Sequence, residues 1–328
     1  MLEDRELLFN IATLYYRDSL TQQEISQKLN ISRPMISRAL NKAQSLGIVR
    51  IELVPPAGFS DLELELAKKL NLQRVVVAPQ LNNHGTEREN RTEDIVDCAA
   101  KLLPELILPG MSVGVGWGVT VYRTVLALQP SGGERKDTVF VPLVGSAGRS
   151  ESHYQVNVIV DRIAEKLKGN ATFFNIPAFV RSQQLMDYVL SDPQLKTIQA
   201  VWSHLDIAIV GLGAFGGVPS FPVGDYSQEE LAELKQLGVV GDILGRFFTD
   251  EGFISDSAAK ETYFPKNTSS LPEQVYLGIP ADDLSRAKNV VCLCGGSQKV
   301  PSIRVAARQG LFNFLVTDMS TAKELAGD

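Results

Sequence analysis

The chain of 328 residues has few of the side chains from which catalytic and metal sites are commonly built: it contains three histidines and three cysteines. Cys98, Cys292 and Cys294 lack the spacing of a metal site or of a disulfide framework. Cys292 and Cys294 alternate along an apparent strand, so we expect buried, reduced thiols. The sequence therefore predicts neither a metal nor a cofactor.

Long hydrophobic runs are also lacking. No run of about 18 apolar residues occurs, so we expect no transmembrane helix and no membrane partner. The first residues, MLEDRELL, are acidic where a signal peptide would be basic and then apolar, which predicts a cytoplasmic protein. With 44% hydrophobic and 21% charged residues, the composition is typical of a soluble globular protein of two or three domains.

Carboxylates are missing from one segment of an otherwise acidic chain. Residues Ile31–Arg50 carry four positive charges, from Arg33, Arg38, Lys42 and Arg50, and no Asp or Glu, although the formal net charge is −6. A local basic segment of this kind is typical of a surface that binds nucleic acid.

The residues before this segment predict a helix, a tight turn and a second helix. Thr21 and Glu24 have the spacing of a capping box, so a short helix should start at Gln22. Ser32 offers a second N-cap, and Pro34 is tolerated in the first turn of the helix that follows. A preceding helix, Leu2–Arg17, would complete a three-helix module.

In the second helix, Ile36, Leu40 and Ala43 share one face, which leaves polar and basic residues on the outside. Gly47 ends this helix, and the alternating Ile48–Val54 predicts a strand of a wing. The module resembles a winged helix-turn-helix that binds operator DNA, although an inert helical hairpin has the same outline. The expected DNA contacts are Thr21, Gln22, Ser32, Arg33, Met35, Ser37, Arg38, Asn41 and Lys42.

Pro55 and Pro56 are the clearest boundary, because two consecutive prolines continue neither a helix nor a central strand. We therefore expect a DNA-binding domain over residues 1–54 and a second domain over 55–328. The second domain should open with a helix, Asp61–Leu70. Apolar runs then alternate with helical stretches, which predicts an α/β, Rossmann-like parallel sheet covered on both faces. The predicted strands are Arg74–Ala78, Ser112–Gly116, Thr138–Val144, Ala171–Ile176, Asp206–Leu212, Asn289–Cys294 and Phe312–Thr317.

Ligands of such sheets bind beyond the carboxyl ends of the strands, where this chain has several glycine-rich turns. The turn around Gly116 and Gly118 opens a helix, and backbone amides at a helix start favour a phosphate. Glycine-rich turns also occur where they only make room for a helix to pack on a sheet, so a single turn of this kind is weak evidence for a phosphate site. Arg149, Arg246 and Lys299 follow other glycines closely and can converge on an anionic group, while Asp242 can accept hydrogen bonds from hydroxyls.

Seven segments resemble, in order, the SorC family of bacterial sugar-operon regulators, which includes regulators of deoxyribonucleoside use. They are LTQQEISQKLNISRPMISRAL, GVGWGVT, VPLVGSAGR, DIAIVGLGA, GVVGDILGRFF, CGGSQK and FLVTD. The resemblance covers essentially the whole chain. It implies a winged helix-turn-helix followed by a phosphosugar-binding domain, which assembles as a dimer or tetramer on palindromic operators.

The effector contacts that the resemblance implies are Gly116, Gly118, Val119, Thr120, Arg149, Asp242, Leu244, Arg246 and Lys299. The chain departs from the family pattern at Val119, where a hydroxyl residue is common, and at Ser146, where glycine is common. The segment Ser257–Gln274 is longer than the corresponding segment of the family, so the family's outer contacts to the ligand cannot be assigned to residues of this segment.

An enzyme related to phosphosugar isomerases or deaminases is the alternative function. Such chemistry needs a positioned acid or base, and His84, His153 and His204 all lie where a solvated or capping role is expected. A scaffold without a ligand would leave the glycine turns unexplained. We therefore predict an allosteric, non-enzymatic regulator of a carbohydrate operon, with the sugar and the direction of control left open.

Overall fold

In the computed structural model, the chain divides into two compact units, residues 1–56 and 57–328. The structure describes residues 4–49, 58–81, 86–130, 135–146, 155–173, 175–180, 191–215, 228–254 and 275–327. Within these ranges no helix is both long and apolar enough to cross a bilayer.

The first unit is helical. Its elements are α1 (Arg5–Ala12), a π-helical turn (Thr13–Arg17), α2 (Gln22–Leu29) and α3 (Arg33–Ser45). The first helix begins three residues later than predicted, because the Asp4 carboxylate accepts hydrogen bonds from the amides of Glu6 and Leu7 and so caps it. The small core of this unit includes Leu8, Ile11, Ile25 and Ile36, each at most 1% exposed.

The helix-turn-helix has the predicted start and stop signals with one exception. The capping box of Thr21 and Glu24 is present, and α2 starts at Gln22 as expected. Ser32 occupies the N-cap position of α3, but its hydroxyl makes no capping hydrogen bond in this structure. Gly47, at φ +68°, ends α3: its amide donates to Gln44 and the amide of Ile48 to Ala43, the pattern of a Schellman motif.

Of the predicted wing strand, Ile48 and Val49 form a bend rather than a strand, because both of their amides are bonded to the carbonyl of Ala43. Residues 50–54, and the Pro55-Pro56 boundary, lie outside the described part of the chain, so the wing and the exact limits of the two domains stay predictions.

The second unit is a sheet with helices on both faces. Its helices are α4 (Gly58–Lys69), α5 (Glu87–Leu106), α6 (Val119–Ala127), α7 (Val156–Leu167), α8 (Pro193–Trp202), α9 (Gln228–Gln236), α10 (Ala281–Arg286), α11 (Val300–Arg308) and α12 (Met319–Ala326). A 3-10 turn, Ser297–Lys299, precedes α11.

The strands follow the predicted apolar runs closely in the centre of the sheet and less well at its edge. They are β1 (Arg74–Ala78), β2 (Ser112–Val115), β3 (Val139–Pro142), β4 (Asn170–Ala171), β5 (Phe179–Val180), β6 (Ile207–Ala214), β7 (Gly241–Ile243), β8 (Arg246–Thr249), β9 (Gly252–Phe253), β10 (Val275–Tyr276), β11 (Asn289–Leu293) and β12 (Phe314–Asp318).

The parallel part of the sheet has the order β1-β12-β11-β6-β2-β3-β4. The chain runs from β2 through α6 to β3 on one side, and from β6 onward to β11 and β12 on the other. The strand order therefore reverses between β2 and β6, and a crevice opens at such a reversal beyond the carboxyl ends of the strands.

Two parts of the sheet differ from the prediction. The run Ala171–Ile176 was predicted as a strand, but β4 stops at Ala171, because this edge strand has only β3 as a neighbour and Phe173 is exposed. The sheet is also not wholly parallel. Strand β7 pairs antiparallel with the end of β6, and β8 and β9 extend this addition, so a hairpin folds over the carboxyl edge.

Candidate functional site

The first unit presents one basic helix surface. The inward face of α3 is closed by Ile36, Ala39, Leu40 and Ala43, each at most 4% exposed, as the periodicity predicted. This packing fixes which side chains remain outside. Ser32, Arg33, Arg38, Asn41 and Lys42 are exposed, while Met35 and Ser37 are half-buried on the same side.

The cations of this surface are available to a ligand. Helix α3 contains three basic residues and no acidic one, and no ion pair within the described residues involves Arg33, Arg38 or Lys42. A helix of this kind fits the major groove, where arginine and asparagine can read base edges and lysine can neutralise a phosphate.

Thr21 and Gln22, also predicted as DNA contacts, lie at the start of α2. The Thr21 hydroxyl is already engaged, since it donates to the Glu24 carboxylate at 2.8 Å and accepts from the Glu24 amide at 3.3 Å. The backbone and side-chain hydrogen bonds from Thr21 lower the pKa of Glu24, so the cap stays ionised near neutral pH. Thr21 therefore has a structural role whether or not it touches DNA.

The second unit holds a cavity of about 520 Å³ at the carboxyl edge of the sheet. Its lining comes from the start of α5, the turn from β2 into α6, the end of β6, the β7–β8 turn and the turn after β11. The residues are Thr86, Glu89, Arg91, Thr92, Ile95, Trp117, Gly118, Val119, Thr120, Val121, Arg123, Gly211, Leu212, Gly213, Ala214, Asp242, Leu244, Leu293, Gly295, Gly296, Gln298 and Lys299.

The start of α6 is one wall of this cavity. Gly118 is the N-cap at φ +124°, a conformation that side-chain-bearing residues rarely adopt, and no side chain caps the helix. The amides of Val119, Thr120 and Val121 therefore lack both an intrahelical acceptor and a side-chain cap. Polar groups in this position favour an anion.

Lys299 lies on the opposing turn. Its side chain is half-buried, and its ammonium group donates to the carbonyl of Leu212 at 2.7 Å. Leu212 belongs to β6, so this bond holds the cation against the strand at which the sheet order reverses. An ammonium group has three donors, and two remain for a ligand.

The β7–β8 hairpin separates two predicted contacts, Asp242 and Arg246. Its turn consists of Leu244 and Gly245, at φ +55° and +82°. Arg246 pairs with Ile243, the neighbour of Asp242, and successive residues of a strand point to opposite faces. Asp242 accordingly lines the cavity.

Arg246 lies elsewhere. It is 5% exposed, and its guanidinium stacks on Phe253 at 4.2 Å and on Tyr276 at 5.1 Å from the ring centroids. None of these three residues is among the described residues that line the cavity. The predicted convergence of Arg246 and Lys299 on one group stays a prediction.

Gly116 is another predicted effector residue that is not among the described residues of the lining. A Cβ at Gly116 would lie 2.5 Å from Leu244, so this glycine makes room for the hairpin turn. Arg149 lies outside the described residues, so its part in the site stays a prediction. The structure brings together six of the predicted residues, namely Gly118, Val119, Thr120, Asp242, Leu244 and Lys299.

The start of α5 is a part of the cavity that the sequence reasoning missed. Thr86 and Glu89 form a second capping box there, and the hydrogen bonds from Thr86 lower the pKa of Glu89. Arg123 on α6 forms an ion pair with Glu93 nearby on α5. The signal was present, because a Thr-x-x-Glu pattern follows β1 and so opens a helix at the same edge of the sheet.

The three cysteines lie in or against the core of the second unit. Cys292 and Cys294 are fully buried with their Sγ atoms 3.5 Å apart, and burial raises the pKa of Cys292. Burial likewise raises the pKa of Cys98 to about 11. Both groups are therefore protonated at neutral pH, as expected of reduced core cysteines.

Comparison with known proteins agrees with this architecture. A sugar-binding domain model, Sugar-bind, matches residues 54–326, and a winged helix-turn-helix DNA-binding model matches residues 11–50. The sorbitol operon regulator of Klebsiella pneumoniae is 29% identical, covering 98% of each chain. The deoxyribonucleoside regulator of Bacillus subtilis is also 29% identical, covering 99% of each. The crystal structure of the full-length K. pneumoniae regulator superposes with a TM-score of 0.77 over 98% of this chain and 99% of the other.

A helix-turn-helix joined to a sugar-binding domain defines a DNA-binding transcriptional regulator that responds to a small molecule. The chain belongs to the SorC family of sugar-binding transcriptional regulators, as its motifs predicted. The relatives are regulators, so the comparisons support this function and not the enzyme alternative.

Proposed function

We propose that the cavity binds a phosphorylated sugar or polyol and that this effector controls the binding of α3 to a carbohydrate operon. One observation carries the proposal: the Lys299 ammonium and the uncapped start of α6 line the same cavity at the reversal of the strand order. Amides at a helix start together with a lysine are a common phosphate-binding arrangement.

The remaining lining suits the hydroxylated part of such a ligand. The Asp242 carboxylate, the Thr120 hydroxyl and the Gln298 amide supply acceptors and donors around the cavity. The Glu89 carboxylate stays ionised because its pKa is lowered by Thr86. A volume of about 520 Å³ accommodates a sugar phosphate together with ordered water. Arg149 and Arg246 remain proposed contacts of the effector.

Control requires the effector to bind two states of the protein with different affinity, and the coupling is then reciprocal. We propose that the regulator is a dimer or tetramer, because pairing two basic helices on two half-sites raises the effective concentration of the second. It would act in the cytoplasm, where operator DNA is found. Sedimentation equilibrium at micromolar concentration should give a multiple of 35.9 kDa, and a 35.9 kDa species alone, with and without DNA, would contradict the assembly.

Calorimetry tests the effector class. The wild-type protein is titrated with D-glucose, D-fructose, D-ribose and D-glucitol and with the monophosphate of each. The proposal expects at least one phosphate to bind at least 30-fold more tightly than its parent, since an ammonium and several amides contact the added group. Tighter binding of every unphosphorylated partner would contradict the proposed phosphate site.

A further inference from the structure

The motif FLVTD forms β12, and its last residue, Asp318, caps α12; the motif has no role in the site described so far. We infer that Thr321, held by Asp318, is a positioning residue that fixes the Gly295–Lys299 turn for effector binding. The inference rests on the proposed function of the cavity.

Asp318 is the anchor of this arrangement. It is the N-cap of α12 and is 2% exposed. One carboxylate oxygen accepts from the Ser320 hydroxyl at 2.5 Å and from the Thr321 amide at 2.9 Å. The other accepts from the Thr321 hydroxyl at 2.6 Å, so the orientation of the Thr321 side chain is fixed.

Thr321 links Asp318 to the turn by hydrogen bonds. Its hydroxyl oxygen accepts a 2.6 Å hydrogen bond from the amide of Gly296, which also lies 3.2 Å from the second carboxylate oxygen of Asp318. The carbonyl of Gly296 in turn accepts from the amide of Lys299 at 2.8 Å. Gly296, at φ +109°, is therefore held on both sides in a conformation that the chain would not keep by itself.

The fit between anchor and turn is close. A Cβ at Gly295 would lie 2.1 Å from the carboxylate of Asp318, so the turn can pack on the anchor only because this residue is glycine. Gly295, Gly296 and Lys299 line the cavity, whereas Asp318 and Thr321 do not. The two buried residues would thus act on an effector only through the position of the turn.

A general contribution to the core is the competing explanation, and the neighbouring Thr317 provides a matched control. Thr317 and Thr321 are both 0% exposed, but the hydroxyl of Thr317 has no hydrogen-bond partner among the residues that the structure describes. Replacing either threonine by valine removes one buried hydroxyl and keeps the side-chain shape. Only the change at Thr321 removes an acceptor from the turn.

The test compares Thr321→Val, Thr321→Ser and Thr317→Val with the wild type by calorimetry, using whichever of the four sugar phosphates binds the wild type most tightly. Thr321→Val should raise the dissociation constant about tenfold, because the Gly296 amide loses the shorter of its two hydrogen bonds, Asp318 loses the hydroxyl that orients it, and the turn relaxes. Thr321→Ser and Thr317→Val should bind like the wild type, and all variants should bind operator DNA equally. Unchanged affinity in Thr321→Val, no rescue by serine, or an equal loss in Thr317→Val would overturn the inference.

Amide hydrogen exchange without ligand separates this inference from the proposed function. The fragment that contains residues 295–299 should exchange faster in Thr321→Val than in the wild type, and at the wild-type rate in Thr317→Val. If no sugar phosphate binds the wild type, the proposed phosphate site fails, and this exchange result alone decides the positioning role. Equal exchange in the two valine variants would refute it.

Discussion

The two units present their functional groups in different ways. In the first unit the exposed side chains of one helix form the surface, and Arg33, Arg38 and Lys42 are placed by the buried face behind them. In the second unit the groups come from five separate segments, and many of them are backbone amides or glycines. A helix surface can be predicted from local periodicity, whereas a site at the edge of a sheet can be predicted only when the strand order is known.

The difference implies that substitutions in one unit should leave the direct binding of the other unit's ligand unchanged. The predictions below test this separation, beginning with the largest expected effect.

Lys299→Ala should abolish the response to a sugar phosphate, with a dissociation constant raised at least 30-fold, because the cation held at Leu212 is lost. Operator binding by the ligand-free protein should stay within twofold of wild type. Fluorescence anisotropy with a labelled operator duplex, selected from random sequence by the wild-type protein, measures both. Lys235→Ala, an exposed lysine at the end of α9, is the control and should change neither. An unaltered sugar phosphate affinity in Lys299→Ala would remove this residue from the site.

Arg38→Ala should weaken operator binding by about 5- to 150-fold, equivalent to about 1–3 kcal/mol for a lost base contact. Arg38 is exposed and lies outside the buried stripe of α3, so unfolding is not expected. Anisotropy across a series of salt concentrations distinguishes a base contact from a phosphate contact, since only the latter lowers the salt slope.

Arg17→Ala is the matched control for Arg38, because Arg17 is exposed in the same unit but paired with Asp18. Wild-type affinity in Arg38→Ala at every salt concentration would exclude a role for this residue in DNA binding.

Asp206→Asn should lower stability slightly without changing either affinity, because Asp206 lies at the amino edge of the sheet, opposite the cavity. Burial raises the pKa of Asp206, but hydrogen bonds from Lys288 and Ser112 outweigh it and lower the pKa overall. The carboxylate therefore stabilises the fold above its ordinary pKa of about 3.9, and this contribution is lost as the pH falls through the lowered value.

Thermal unfolding should show a decrease of about 2 °C at pH 7 for Asp206→Asn, and a smaller difference from wild type as the pH falls below about 4. Asp250→Asn, which breaks the exposed pair with Arg308, is the control and should have no measurable effect. A difference that widens in acid would contradict the sign of the shift.

Thr21→Ala should affect operator binding much less than Arg38→Ala does. Loss of the cap should speed amide exchange in α2 about fivefold, equivalent to about 1 kcal/mol, while operator affinity falls by less than threefold. Thr21→Ser retains the hydroxyl and should restore the exchange rate. A loss of affinity as large as that of Arg38→Ala, with exchange unchanged, would instead indicate a direct DNA contact.

The sequence predicted those elements whose signals are local. The capping box set the start of α2 at Gln22, and the apolar run Arg74–Ala78 became β1 at the same residues. The α3 stripe was likewise confirmed by burial. In each case the sequence signal lies within a few residues, although β1 forms its backbone hydrogen bonds with the distant strand β12.

The hairpin over the cavity was missed for a physical reason. Its turn contains Leu244 at φ +55°, a conformation that leucine rarely adopts and that no sequence rule would assign to it. The placement of Asp242 and Arg246 on opposite faces of the hairpin follows from this turn and could not be predicted without the strand register. The part that α5 plays in the cavity depends on β1 being the outermost strand of the sheet, beside β12. The order of the strands along the sequence does not reveal this position.

The central claim is that a ligand bound in the second unit changes how the first unit binds DNA. The most direct measurement is the operator dissociation constant of the wild-type protein, by fluorescence anisotropy, with and without a saturating sugar phosphate that calorimetry has shown to bind. The account predicts a change of at least fivefold, in either direction, as expected for allosteric coupling. An operator affinity that stays the same while the cavity is saturated would contradict it.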